Sequence, residues 1–132
     1  MSKKCIISAV VMFVMTWALG FVVHELLLSA DYSVTQGMRP PAEMQKLVPF
    51  IIAAHAFFGV AFAWIYVQGK EDKPWLMQGL RFGIAVSCLA VVPMYLIYHA
   101  VTPVPLVLAI KQIAFDTIRV LLMGAVLAWI NR

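Results

Sequence analysis

The side chains of this sequence able to do chemistry fall into two constellations. Lys111, Gln112, Asp116 and Arg119 lie in "VLAIKQIAFDTIRVLLMG", an otherwise apolar stretch. An ionised side chain at the centre of a membrane helix costs about 2.5 to 3.5 kcal/mol on insertion scales, so such groups need partners. Gln112, Asp116, Arg119 and Met123 recur at the i, i+4, i+7 and i+11 spacing of one helix face. Asp116 and Arg119 are spaced to pair along that face, with Gln112 and Thr117 as further donors. Lys111 is nearer the helix end and within snorkelling reach of an interface. The polar face is therefore expected to look into a helix bundle. Its chemistry is either a clasp that fixes helix register or a proton or ion relay. A carboxylate already neutralised by an adjacent arginine is a poor proton carrier, which favours the clasp.

The second constellation is His24, Glu25, His55 and His99, candidates for a ligand or proton site. Neutral imidazole is a common metal and haem ligand, and histidines on facing helices can hold a cofactor. All three histidines are expected in the outer half of the membrane. His24 and His55 have the best claim to a metal because their similar depths let them meet, whereas His99 would need a tilted or kinked third helix. Each histidine is nevertheless alone on its helix, with no H-x-x-x-H or E-x-x-H spacing, a pattern better matched to a hydrogen-bonded packing layer. Adjacent residues diverge by about 100° around a helix, so Glu25 is expected at the rim while Thr16, Gly20 and His24 face neighbouring helices. No phosphate cradle, nucleophile motif or zinc fingerprint occurs, so no catalytic residue is assigned; this leans against an enzyme without deciding it, and the cofactor is left open. Thiol exchange is excluded by the lack of C-x-x-C. Cys5 and Cys88 are expected as two buried thiols roughly 20 Å apart in depth, too far to bridge. The ten basic residues are scattered through oily sequence, leaving no patch for nucleic acid.

The elements that must position these groups follow from composition. With 64% hydrophobic and 12% charged residues, the chain is more apolar than soluble domains, which are roughly half apolar. Four apolar segments, about 5–29, 48–69, 74–100 and 104–130, meet the roughly 20 residues needed to cross a bilayer. "RPPAE", "QGKEDKP" and "TPVP" separate them. Lipid offers no hydrogen-bond partners, so each span should be helical. The expected fold is an all-α integral membrane protein, residues 1–132 forming one bundle of four transmembrane helices. Pro93 should kink the third helix near Leu89. The first apolar run is longer than the core of a signal peptide and is read as a helix. Lys3, Lys4, Lys70, Lys73, Arg81 and Arg132 on one side, against Arg39 and Lys46 on the other, put both termini in the cytoplasm. Trp64, Tyr66, Trp75 and Trp129 then mark the inner interface. The long outer loop "ADYSVTQGMRPPAEMQK" is the place for an external ligand, with "PAEMQKL" able to extend the second helix.

"GVAFAWI" at 59–65 and "GAVLAWI" at 124–130 share G-x-x-x-A-W-I, and "VVHEL" and "IYHAV" place histidines alike. This suggests a two-helix tandem repeat and nominates Gly59 and Gly124, with Gly20, as helix-packing positions.

Together, "VVHELLL", "FGVAFAWIY", "GLRFG", "PMYLIY" and "FDTIR" resemble a group of small four-helix inner-membrane proteins of bacteria that carries no assigned function. The resemblance implies a multi-pass protein of the bacterial inner membrane and transfers no catalytic residue. Small multidrug transporters are similar in size, but their glutamate lies mid-membrane in the first helix, whereas Glu25 is expected at the outer rim. Three functions fit. The first is a structural or accessory subunit acting through helix packing, with the lipid bilayer and a homo-oligomer or larger membrane complex as partners. The second is a small proton- or ion-coupled transporter working as a homo-oligomer. The third is a metal, haem or quinone-binding membrane component.

Overall fold

The computed structural model describes residues 3–132, and these are helical without strands. Helix α1, Lys3–Phe21, runs into a π-helical turn, Val22–Leu27. A short α2, Ser29–Ser33, follows. Then come α3, Pro41–Gln68, and α4, Trp75–Val86, the latter joined by a π-helical turn, Ser87–Val91, to α5, Val92–Val101. The last helix is α6, Leu106–Ile130. Four continuous helical segments among the described residues are long and apolar enough to cross a membrane: Lys3–Leu27, Pro41–Gln68, Trp75–Val101 and Leu106–Ile130.

The boundaries follow local chemistry. Pro41, Trp75 and Leu106 each begin a helix immediately after a proline. The fixed φ of proline suits a helix start, where no backbone donor is lost. The second span begins at Pro41, so "PAEMQKL" is helical and Pro49 falls inside α3. In the third span Pro93 has no N–H for the carbonyl of Leu89. The π-helical turn lies just before it, with Val92 N donating to Ser87 O. In the first span the same widening appears without proline, Leu28 N donating 3.0 Å to Val23 O.

Two tight helix pairs build the core. A Cβ on Gly79 of α4 would lie 2.4 Å from Gly124 O of α6, and a Cβ on Gly124 would lie 2.4 Å from Gly79 O. A Cβ on Gly59 of α3 would fall 2.6 Å from Phe13 N of α1. Only glycine permits such approach of two backbones. Contacts of α1 with α6 unite the pairs, and Met12, Phe62, Val120, Met123 and Leu127 fill the centre. Asn131 Nδ2 donates 2.9 Å to Ser8 Oγ, and Lys70 donates to the Asn131 carbonyl, so both chain ends and the α3–α4 turn share one end of the molecule. At that end α3 meets α4 through Phe62 and Tyr66, whose rings lie 4.7 and 5.4 Å from that of Phe82. Toward the opposite, loop end, α3 and α5 do not pack along their lengths among the described residues.

Gly20 packs against side chains of two other helices and not against backbone, since a Cβ there would lie 3.1 Å from Arg119 Nη1 and from His55 Cε1. Two expectations need correction. Tyr66, 3% exposed, belongs to the core rather than the rim, whereas Trp64 and Trp129 do face outward. Cys88 is exposed and only Cys5 is buried, because Cys88 falls on the outward side of the π-helical turn.

Candidate functional site

The polar face of α6 turns inward at Asp116, which is 1% exposed. Its two carboxylate oxygens have different partners. Arg119 Nε stands 3.1 Å from Oδ1. Neither atom completes a directed hydrogen bond, so this contact is a pairing of charges. Tyr95 of α5 donates its hydroxyl proton to Oδ2, and His24 Nε2 of the first span lies 3.5 Å from the same oxygen.

The network continues toward the loop end. Gln112 Nε2 donates 2.9 Å to the Tyr32 hydroxyl of α2. That hydroxyl lies 2.7 Å from His24 Nδ1, and the two rings stack with centroids 6.0 Å apart. In the tautomer protonated on Nε2, His24 accepts the Tyr32 proton at Nδ1 and turns its N–H toward Asp116. Burial is the largest influence on the Tyr32 phenol and pushes it above its ordinary 10.0, which keeps this donor protonated at neutral pH. Above it Lys111 Nζ holds both oxygens of Asp31 at 2.8 and 3.0 Å, tying α6 to α2.

His55 of α3 approaches from the other side. Its Nδ1 lies 3.2 Å from Thr16 Oγ1, and its ring meets Trp17 edge-on at 5.5 Å. Arg119 Nη1 and His55 Cε1 each come within 3.1 Å of the point a Gly20 Cβ would occupy. The absent side chain of Gly20 is thus the space in which guanidinium and imidazole converge.

Of the residues nominated from sequence, His24, His55, Gln112, Asp116 and Arg119 gather in this region, with Lys111 above it. Gln112 serves Tyr32 rather than Asp116, and no hydrogen bond reaches Asp116 from Thr117 among the described residues. His99 stands apart, its Nδ1 2.7 Å from the Val104 carbonyl, where it closes the α5–α6 turn. Glu25 is exposed at the mouth of a cavity. Both nitrogens of His24 are engaged, so a metal there would have to displace Tyr32 or Asp116. No group of three His, Cys, Asp or Glu side chains is arranged to hold a metal ion among the described residues.

Tyr95 and Thr16 are not candidates on sequence grounds, and Asp31 and Tyr32 are expected only as outer-loop residues facing an external ligand, whereas they join the interior network. Tyr95 reaches Asp116 because the π-helical turn before Pro93 sets the rotation of α5, and Tyr32 because α2 folds back, which has no local motif. Thr16 did carry a signal, the stripe it forms with Gly20 and His24.

Two cavities reach the cluster. One of about 380 Å³ lies between α1 and α3 and is bordered by Trp17, Gly20, His24, Glu25, Ile51 and His55. The other, about 570 Å³, opens between α3 and α5, with Phe50, Ala54 and Met94 on its walls and His24, Tyr32, His55, Tyr95 and Gln112 at its polar side. His24 and His55 border both.

Comparison with known proteins finds no matching family model, no matching curated protein and no matching solved structure.

Proposed function

We propose that this chain is a small multi-pass protein of the bacterial inner membrane that binds a neutral, quinone-like amphipath drawn laterally from the bilayer. The observation that carries this reading is the gap between α3 and α5, through which an apolar-walled cavity of about 570 Å³ leads to a hydrogen-bonding cluster. Ligand sites commonly enclose about 300 to 1,000 Å³, with apolar walls and a few convergent polar groups. Asp116 and Arg119 offset each other's charge, which suits a head group without formal charge. His55, on the cavity wall, has its Nε2 as a partner for a carbonyl oxygen of a quinone. An isoprenoid tail would lie along Phe50 and Met94 and leave between the helices.

In this reading both termini are cytoplasmic, as the basic side chains at the terminal end favour. The cavity then opens to the outer leaflet. The two helix pairs form a tandem repeat, supported by Gly59 and Gly124 serving equivalent contacts on the second helix of each pair. An accessory role in a larger complex is a second reading. It is favoured by Phe50 and Phe57 of α3, 73% and 79% exposed, which offer a face to another helix.

Trp17 provides the test. In protein whose other tryptophans are replaced by phenylalanine, a short-chain quinone should quench Trp17 saturably in lipid nanodiscs. His55→Ala should weaken that binding about tenfold, as loss of one hydrogen bond of about 1.5 kcal/mol requires. Linear, non-saturating quenching that is equal in the wild-type background and in His55→Ala would reject the proposal.

A further inference from the structure

A second cavity system lies at the opposite end, unconnected with the Asp116 cluster. A cleft of about 550 Å³ runs between the end of α3 and the start of α4, with Ile65, Met77 and Phe82 on its apolar surface and Arg81 on its wall. It adjoins a smaller cavity beside Trp75, and the two share Tyr66, Glu71, Lys73, Pro74 and Gln78. The charges around them are unequal. Lys70, Lys73, Arg81 and Arg132 stand against Glu71 and Asp72. Lys73 pairs with Glu71, and Lys70 is spent on the Asn131 carbonyl. Arg81 has no ion pair or hydrogen bond among the described residues and is exposed to the cleft.

The position of Arg81 gives that cation its meaning. It is six residues into a helix that begins at Trp75, a depth of about 9 Å by helical rise. A guanidinium set below an aromatic interface residue needs an anion at the interface or a long reach to water. We infer that this cleft binds an anionic glycerophospholipid, its phosphate on Arg81 and an acyl chain along Ile65 and Met77. A planar guanidinium binds phosphate through two parallel N–H donors, which lysine cannot reproduce. The apolar surface beneath distinguishes a lipid from a free phosphate ion, which would gain nothing there. Gln78 is held by two hydrogen bonds to the backbone of Glu71, at 2.8 and 2.9 Å, so the turn that frames the cleft is fixed beforehand.

The test uses the full chain reconstituted in phosphatidylcholine vesicles with Trp75 as the sole tryptophan. Brominated phosphatidylglycerol should quench Trp75 more strongly than brominated phosphatidylcholine at the same mole fraction. One basic residue near a membrane surface is worth about 1 kcal/mol, so Arg81→Gln should lower the preference about fivefold, while Arg81→Lys keeps part of it. Unlabelled phosphatidylglycerol should abolish the preference and inorganic phosphate should not. Native mass spectrometry of the detergent-solubilised chain, carrying all its tryptophans, should show phosphatidylglycerol retained by the wild type and lost by Arg81→Gln. Equal quenching by the two lipids, a preference unchanged in Arg81→Gln, or displacement by inorganic phosphate would each overturn the assignment.

Discussion

Asp116 is the residue on which the interior depends, because three side chains from three spans converge on one carboxylate. Arg119 balances its charge, Tyr95 donates to it and His24 stands at 3.5 Å. Removing one partner of a buried pair strands the other, typically at about 3 to 5 kcal/mol. Asp116→Ala and Arg119→Met should therefore each lower the unfolding free energy by about that amount in detergent micelles. Replacing both together, as Asp116→Leu with Arg119→Met, should recover most of the loss, since no uncompensated charge remains. A deficit of about 1 kcal/mol should persist because the Tyr95 hydroxyl loses its acceptor. Equilibrium denaturation of the single and double variants measures this coupling. A double variant no more stable than either single one would show that the two charges do not act as a pair.

Among the elements, the glycine contacts differ in what lies opposite them, and their substitutions should differ accordingly. A Cβ at Gly79 would press on the Gly124 carbonyl at 2.4 Å, backbone against backbone, so α4 and α6 could only part. A Cβ at Gly20 would meet the tips of two flexible side chains at 3.1 Å. Gly79→Ala should cost about 1 to 3 kcal/mol, the range for overpacking a closed contact. Gly20→Ala should cost less in stability but displace His55 and Arg119, and so weaken quinone binding. Thermal unfolding and the Trp17 assay on both variants check the ordering, and a larger stability loss for Gly20→Ala would refute it. The elements also mark how far the sequence could be read. Hydrophobicity accumulates residue by residue, so the four spans were visible as apolar runs between breakers. The Asp116–Arg119 pair was visible because it is local to one helix. Pro93 announced the irregular turn of the third span, but nothing in "VVHELL" announces that of the first. Gly79 and Gly83 had a signal in the G-x-x-x-G spacing of "GLRFG", less conspicuous than the A-W-I echo that pointed to Gly59 and Gly124. Tyr95 was not legible, and Tyr32 was legible only as an outer-loop residue, since each meets its partner only through the packing of separate helices.

For the molecule as a whole, the two ends carry different chemistry, and orientation decides what each would meet. The loop end has the Lys111–Asp31 pair above the hydrogen-bonded cluster and the gap beside α3. The terminal end has Arg81, without an ion pair among the described residues, in its cleft and Arg132 over the ring of Trp129 at 5.4 Å. Cytoplasmic loops and termini gather lysine and arginine, and the cytoplasmic leaflet bears the anionic surface potential that attracts them. Both proposed sites therefore rest on one topology, with the terminal end inside. Single cysteines at exposed Gln36 and Asp72, with Cys5 and Cys88 replaced by alanine, distinguish the two arrangements. A membrane-impermeant maleimide applied to intact spheroplasts should label Gln36→Cys and leave Asp72→Cys unmodified until the membrane is opened. The reverse pattern would put Arg81 in the outer leaflet and open the quinone cavity to the inner one. Labelling of both positions before lysis would mean that the chain inserts in two orientations, in which case each site would sample both leaflets.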